Sequence, residues 1–408
     1  MKTPRIVVAG GGAAGFFGAI SAAEKNPQAS VVLLEKGTHL LAKVRISGGG
    51  RCNVTHACYD PRELSRRYPR GGKALIGPLT RFGPEETVAW FASRRVKLKT
   101  EADGRMFPVT DSSQTVIECL TQAAREAGIN VTTQSRIQSV ATRREGGFLL
   151  KLSTGSEVDC HRLLWATGGC GQGPHPLTAL GHQLNPPVPS LFTFHLAEDW
   201  VRSLAGLSVQ DAKITVPNLD LEERGPVLFT HEGLSGPAVL RLSAWGARPM
   251  HEQKYHFPLS LNWIPGQSLE KSRQEIQNRR QLQGAKTLYR SGWPPLPSRL
   301  WEELCRSAGI ISDERWSKFS REKEMLLLKK LHETKLQVVG KSMNKEEFVT
   351  CGGIPLEEVD MKTMESRKVP GLYFAGETLD IDGITGGFNF QAAWTTAWIA
   401  GQSIAGDG

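Results

Sequence analysis

Apolar and polar positions fall into short blocks from the start of the chain. Arg5-Ile-Val-Val-Ala9 is a β-rich run, residues 13–25 are alanine-rich and helix-compatible, and Val31-Val-Leu-Leu-Glu35 is a second β-rich run. Together they predict a compact strand–helix–strand unit. Further on, the pattern predicts a helix around residues 113–127 and a strand-rich stretch over residues 131–158, with a hairpin turn at Glu145-Gly146-Gly147. Pro186-Pro187-Val188-Pro189 reads as a boundary, because consecutive prolines continue neither a ladder nor a helix. Short β-like runs then recur at residues 191–196, 212–216, 227–230 and 255–261, after which the pattern over residues 266–336 turns helical, broken at Trp293-Pro-Pro-Leu-Pro297. The expected division is residues 1–190, an insert at 191–337 with a β-rich half (191–265) and a helical half (266–337), and a return at 338–408.

Between the first strand and helix lies Gly10-Gly-Gly12-Ala13-Ala14-Gly15, a GxGxxG motif. Gly10 allows the tight turn, Gly12 lets the backbone approach a pyrophosphate, and Gly15 lets helix and strand pack closely. Glu35 follows 20 residues after Gly15, where a carboxylate accepts hydrogen bonds from ribose hydroxyls and disfavours a 2′-phosphate. The unit therefore predicts a dinucleotide, and the motif alone does not separate FAD from NAD.

Later segments decide between them. Leu163-Leu-Trp-Ala166-Thr167-Gly168-Gly169 resembles the return strand of two-dinucleotide-type flavoproteins, and Gly371-Leu-Tyr-Phe-Ala-Gly376-Glu377 is another strand ending in glycine and an acid, followed by Gly386-Gly387 and a helix-like run over residues 390–400. Three longer motifs are similar to those of the BaiN-like, aminoacetone-oxidase-type FAD-binding family: Ile46-Ser47-Gly48-Gly49-Gly-Arg51-Cys52-Asn53, Phe229-Thr-His231-Glu-Gly-Leu-Ser-Gly236-Pro237, and the stretch from Gly376 through Asp382, Gly386, Gly387 and Phe388 to Asn389. The resemblance covers nearly the whole chain. It implies an α/β fold: a Rossmann-like FAD-binding domain formed by both chain ends and interrupted by an inserted domain with a β-barrel part and a helical part. It also implies FAD contacts at the residues of these motifs, together with Lys36 and Ile137. After Gly169 the sequence departs from the longer TGSTGDG-type loop of many members, so contacts made by that loop are not carried over.

Several residues have two readings. Arg51 and Asn53 follow three glycines, which suits contact with a polar ligand or a structural loop. Cys52 and Cys58 resemble the redox pair of flavin disulfide reductases, but five residues separate them where that motif has four, which favours an ordinary thiol. His231 is either an acid–base residue offered by the insert or a hydrogen-bonded structural histidine. Asp380 and Asp382 either bind the flavin side chain or cap a turn, whereas Glu377 is expected at the ribityl or phosphate region. Gly168-Gly-Cys-Gly171-Gln-Gly173 does not fit a second GxGxxG, so no dedicated NAD(P) domain is visible.

Composition changes little in this picture. At 408 residues the chain exceeds the roughly 250–300 at which one core stops growing, and 39% apolar with 22% charged residues excludes a chain dominated by disorder. Seven scattered cysteines without zinc spacing fit a reducing cytoplasm and no metal site. Lys2, Arg5 and the apolar residues 6–23 imitate a secretory signal, yet the glycines and the second strand fit a nucleotide unit; no other stretch approaches the roughly 18 apolar residues of a membrane span. The net charge of +9 is concentrated in residues 266–341, which hold 16 Lys and Arg against 9 Asp and Glu. That excess suits a solvated surface or a polyanion contact through Arg279, Arg280, Lys329 and Lys330. The expected function is an FAD-dependent oxidoreductase acting on a small organic substrate, with NAD(P)H docking transiently or oxygen as its electron partner. An RNA-modifying flavoprotein and a non-catalytic, redox-sensing flavin protein are the alternatives.

Overall fold

The computed structural model describes residues 4–171, 175–342 and 349–406; Lys2 and the Gln172-Gly-Pro174 part of the loop after Gly169 lie outside them. The chain divides into two compact units, residues 1–189 with 345–408 and residues 190–344.

The first unit is built on a seven-stranded sheet in the order Val359–Asp360, Glu365–Ser366, Leu372–Phe374, Arg162–Trp165, Arg5–Ala9, Ser30–Leu34, Asn130–Thr132. Arg5–Ala9 pairs in parallel with both of its neighbours, and Ile6, Val7 and Val8 are fully buried, which explains their continuous rather than alternating apolar run. The helices Ala13–Lys25 and Phe388–Ala405 pack on each other through glycine. A Cβ at Gly401 would lie 2.6 Å from the Gly18 carbonyl oxygen and 2.6 Å from Ser21 Cβ, so the backbones meet where no side chain fits. Ser21 Oγ donates to Trp398 O at 3.1 Å and Asn26 Nδ2 to Ala405 O at 3.3 Å, which ties the two chain ends together.

The expected hairpin forms between Ile137–Thr142 and Phe148–Leu152, with Gly146 and Gly147 at φ of 88° and 80°. The proline stretch behaves differently from expectation. Asn185–Pro189 is a short strand paired with Thr350–Gly353, and the ladder slips between Asn185 and Val188, so Pro186 and Pro187 stand where no amide hydrogen is needed. The unit boundary falls directly after it, at Pro189.

The second unit contains a closed six-stranded antiparallel barrel in the order Thr193–Leu196, Gly233–Ser235, Leu221–Phe229, Ser208–Val216, Phe257–Asn262, Thr334–Ser342. The last strand corrects the expected return at residue 338. Thr334, Leu336 and Val338 alternate inward and close the barrel against both Phe257–Asn262 and Thr193–Leu196. Helices Pro237–Trp245 and Ala247–Glu252 lie between strands of the half expected to be β-rich. The helical half comprises Leu269–Leu282, Leu288–Ser291, Ser298–Ser307 and Arg321–His332, broken at the predicted prolines. One apolar core runs through barrel and helices, joining Ile214, Leu259 and Trp263 to Trp293, Trp301 and Trp316. Two arginines expected on the surface are half-buried against this core. Arg279 lies over the Trp293 ring at 4.7 Å and bonds Glu275, while Arg280 pairs with Glu324 at 2.7 Å and donates to Phe319 O.

The Gly18–Gly401 contact has a direct test. Gly401→Val forces the two helices apart and is expected to cost about 2 kcal/mol or more in urea unfolding, with weakened flavin retention, whereas a substitution tolerated at wild-type stability would show that the approach is not tight.

Candidate flavin site

The glycine turn is built as its spacing requires. Gly10 has φ 109° and a Cβ there would strike Ala166 O, while a Cβ on Gly15 would strike Gly10 O. Around Gly12 a Cβ would meet nothing within 4 Å, so space lies open over the N-terminus of the helix that Ala13 and Ala14 begin. That helix has no side-chain cap and no acid in its first turn, leaving its free amides for an external anion. Glu35 closes the turn: its carboxylate accepts from Gly11 N at 2.6 Å and Gly37 N at 2.7 Å. Gly10, Glu35, Lys36, Ile137, Thr167 and Gly169 line one cavity, joined by Arg136, Trp165 and His175. Trp165 Nε1 is a buried donor with no acceptor among the described residues.

The C-terminal helix repeats this arrangement. Its N-cap is Gly387, at φ 91°, again without a side-chain cap or a first-turn acid. In the amide orientation its neighbours favour, Asn53 accepts from Gly387 N at 3.0 Å and donates to Thr55 O at 2.9 Å. Phe388 stacks on His56, ring centroids 4.8 Å apart, and its carbonyl accepts from Tyr68 Oη at 2.7 Å. The loop leading to Asn53 is tightly folded. Gly48 and Gly49 are left-handed, Ser47 Oγ donates to Val44 O at 2.8 Å, and a Cβ on Gly48 would crowd Asn53 N.

Other predicted residues are held by protein partners. Arg51 forms an ion pair with Glu101 at 2.6 Å, reaches Asp111 at 3.5 Å, and lies over Phe107, which is the structural-loop alternative. Asp382 is fully buried in a two-bond pair with Arg70, and Asn389 exchanges two hydrogen bonds with Gly383. Asp380 accepts from Gly352 N at 2.9 Å and Asn185 Nδ2 at 2.7 Å, a bridging role. Glu377 lies beside Gly168 and Gly169, following Gly376 at φ 66°, and receives the Lys43 ammonium at 2.6 Å. His231 belongs to the second unit, exposed in the turn between Leu221–Phe229 and Gly233–Ser235, while the adjacent Glu232 bonds His195 at 2.9 Å.

Residues 4–403 match the HI0933-like protein Rossmann domain family. The chain belongs to that family. It is an FAD-dependent oxidoreductase with a Rossmann-like flavin domain. It is similar to a ribosomal RNA dihydrouridine synthase of Escherichia coli, at 32% identity over 98% of this chain and 97% of that protein. It is also similar, at 27% identity over 98% and 99% respectively, to a 3-dehydro-bile acid delta(4,6)-reductase of Clostridium scindens. Among solved structures, the 3-ketosteroid-delta4-(5alpha)-dehydrogenase of Rhodococcus jostii superposes with a TM-score of 0.50 at 14% identity, covering 99% of this chain and 97% of that one. At that identity the likeness concerns the fold.

The open space over Gly12, the two uncapped helix N-termini and the doubly engaged Glu35 fit an anionic dinucleotide. Lys43, Arg70 and Trp165 were not legible as site residues, because their partners or the cavity they line come from distant segments; only Trp165, directly before Ala166-Thr167-Gly168, carried a local signal. The thiols fit no relay. Cys52 is buried at φ 61° and burial pushes its thiol up to about 12, and burial also raises Cys58. The Cys52→Ser/Cys58→Ser double variant is therefore expected to undergo flavin reduction at an unchanged rate, and Cys52 to resist maleimide at about pH 8; a loss of roughly 10²-fold in reduction would restore the relay.

Proposed function

We propose that the protein reduces a carbon–carbon double bond conjugated to a carbonyl, with uracil bases of ribosomal RNA as substrate and NAD(P)H as the transient electron donor. The observation that carries this reading is the match to a ribosomal RNA dihydrouridine synthase over nearly the whole of both chains. A small unsaturated carbonyl compound is the second reading, favoured by the relative named as a bile acid delta(4,6)-reductase. Both names denote reduction of an unsaturated substrate. An RNA substrate and the thiols of Cys52, Cys58, Cys119, Cys160, Cys170 and Cys305, none of them in a disulfide, fit a reducing cytoplasm.

In this reading the amides of Gly12, Ala13 and Ala14 hold the pyrophosphate of FAD, and Glu35 receives the adenosine ribose beside Lys36 and Ile137. Ala166 to Gly169, with Glu377 and its Lys43 partner, line the ribityl side, and the N-terminus of the helix Phe388–Ala405 faces the pyrimidine end, with Gly386 at φ 132° leading into it. Ser47, Gly48, Gly49 and Cys52 shape the loop that presents Asn53 to Gly387. Arg51, Asp382 and Asn389 act indirectly, by fixing the loops around the site. Bound FAD would supply the hydride from its reduced form, whose negative charge the helix N-terminus at Gly387 would stabilise. Reduction of uracil places that hydride on C6 and a proton on C5, NAD(P)H being oxidised to NAD(P)⁺ overall. His231 is the candidate proton donor, since its exposed imidazole makes no hydrogen bond among the described residues.

The test is anaerobic incubation of the FAD-loaded protein with NADH or NADPH and unmodified ribosomal RNA, followed by mass spectrometry of nucleosides. Dihydrouridine is expected, and His231→Ala should lower its formation by roughly 10²-fold with flavin content unchanged. Reduction of small enones but never of RNA would transfer the assignment to the second reading, and an unchanged His231→Ala rate would remove that residue from the chemistry.

A further inference from the structure

The helical half of the insert separates its cations into two sets. Five of the nine acids in residues 266–341 neutralise a neighbour: Glu275 with Arg279, Glu324 with Arg280, Glu303 with Arg306, Glu314 with Lys323 and Glu333 with Lys335. The excess positive charge therefore resides on other side chains, and the fold gathers four of them. Residues 284–291 and 314–318 run side by side: Leu288 N donates to Glu314 O at 3.0 Å, Trp316 N to Lys286 O at 3.1 Å, Ser317 N to Gly284 O at 3.1 Å and Trp316 Nε1 to Ser291 Oγ at 2.9 Å. Thr287 and Arg315 face each other in an antiparallel bridge. Leu288 and Trp316 are buried and anchor this double segment, while Lys286, Arg290, Arg315 and Lys318 are exposed along it. None of the four forms an ion pair among the described residues. Asp313 is exposed beside them, whereas Glu314 is covered by Lys323 at 2.6 Å.

We propose that Lys286, Arg290, Arg315 and Lys318 form a ridge that binds the phosphate backbone of RNA, an inference that rests on the RNA reading above. The chemistry favours phosphate over bases. Four exposed cations on a segment pinned by buried Leu288 and Trp316 offer charge in a fixed arrangement; Trp293, Trp301 and Trp316 are buried, and the half-buried Tyr289 packs against the core with its hydroxyl donating to Ile310 O at 3.2 Å, so these rings are not laid out as a stacking platform for bases. The ridge therefore supplies affinity and position but no sequence choice, which falls to the catalytic site. Arg279 and Arg280, the cations most conspicuous in the sequence, take no part, because both are committed to carboxylates and aromatic rings inside the unit.

The experiment uses the FAD-loaded full chain and two RNAs, a ribosomal RNA fragment and an unrelated structured RNA, with affinity measured between about 50 and 200 mM salt. The combined variant Lys286→Ala, Arg290→Ala, Arg315→Ala, Lys318→Ala is expected to bind both RNAs about 10²-fold more weakly at the lowest salt, with the log–log salt slope reduced by about 3. A control variant that removes the same charge elsewhere, Lys25→Ala, Lys97→Ala, Arg125→Ala, Arg144→Ala, should stay within about threefold of wild type. Flavin spectra of both variants should match the wild type, which separates lost binding from lost folding. Equal weakening by the control, or no weakening by the ridge variant, would overturn the ridge and leave the RNA reading standing. Wild-type protein that binds phosphatidylglycerol vesicles but neither RNA would overturn both, whereas ridge-dependent RNA binding without dihydrouridine formation would overturn only the proposed reaction.

Discussion

The backbone contact between the helices Ala13–Lys25 and Phe388–Ala405 is the constraint on which the rest of the first unit depends. Gly18 and Gly401 let the helices approach more closely than any side chain would allow, and the approach joins residues nearly four hundred positions apart in sequence. Each helix begins in a glycine turn and lacks a side-chain cap. Fixing one helix against the other therefore fixes the separation and direction of two helix N-termini, which is what a long anionic cofactor such as FAD requires at its two ends. An insertion of more than 150 residues between the halves leaves this geometry intact, because residues 190–344 form a compact unit with their own core.

Charge pairs with distant partners complete the frame. The buried Arg70–Asp382 pair and the Lys43–Glu377 pair each connect the first third of the chain to its last segment. Breaking the buried pair by removing one partner leaves an uncompensated charge, a cost of about 3–5 kcal/mol. The pairs thus act with the helix contact to make the two chain ends one object. In the insert the same chemistry has a different result: carboxylates neutralise the half-buried arginines Arg279 and Arg280, and the excess positive charge stays on exposed side chains.

Features encoded locally were legible in the sequence. The turn at Gly10, the helix after it and the acid at Glu35 lie within one short segment, and each residue type has one physical reason to stand where it does. The hairpin at Gly146-Gly147 and the proline break before Ser298–Ser307 were legible for the same reason. Features that depend on distant partners were not. Arg51 carries a ligand-like motif, yet Glu101 and Asp111 approach it only in the fold. Arg279 and Arg280 read as a basic surface until Trp293, Trp316 and Phe319 come to lie against them in the fold. The closing barrel strand was misplaced although its inward alternation at Thr334, Leu336 and Val338 was available, because the change from helix to strand falls at Glu333 without a glycine or proline to mark it.

The most direct test of the account is the flavin itself, measured as the visible spectrum of the purified protein together with the mass of what acid releases from it. One FAD per chain, with an absorption band near the usual ~450 nm, is the result required by two helix N-termini and the glycine turn that Glu35 closes. A folded chain that stays colourless after incubation with excess FAD, or that releases FMN instead, would contradict it.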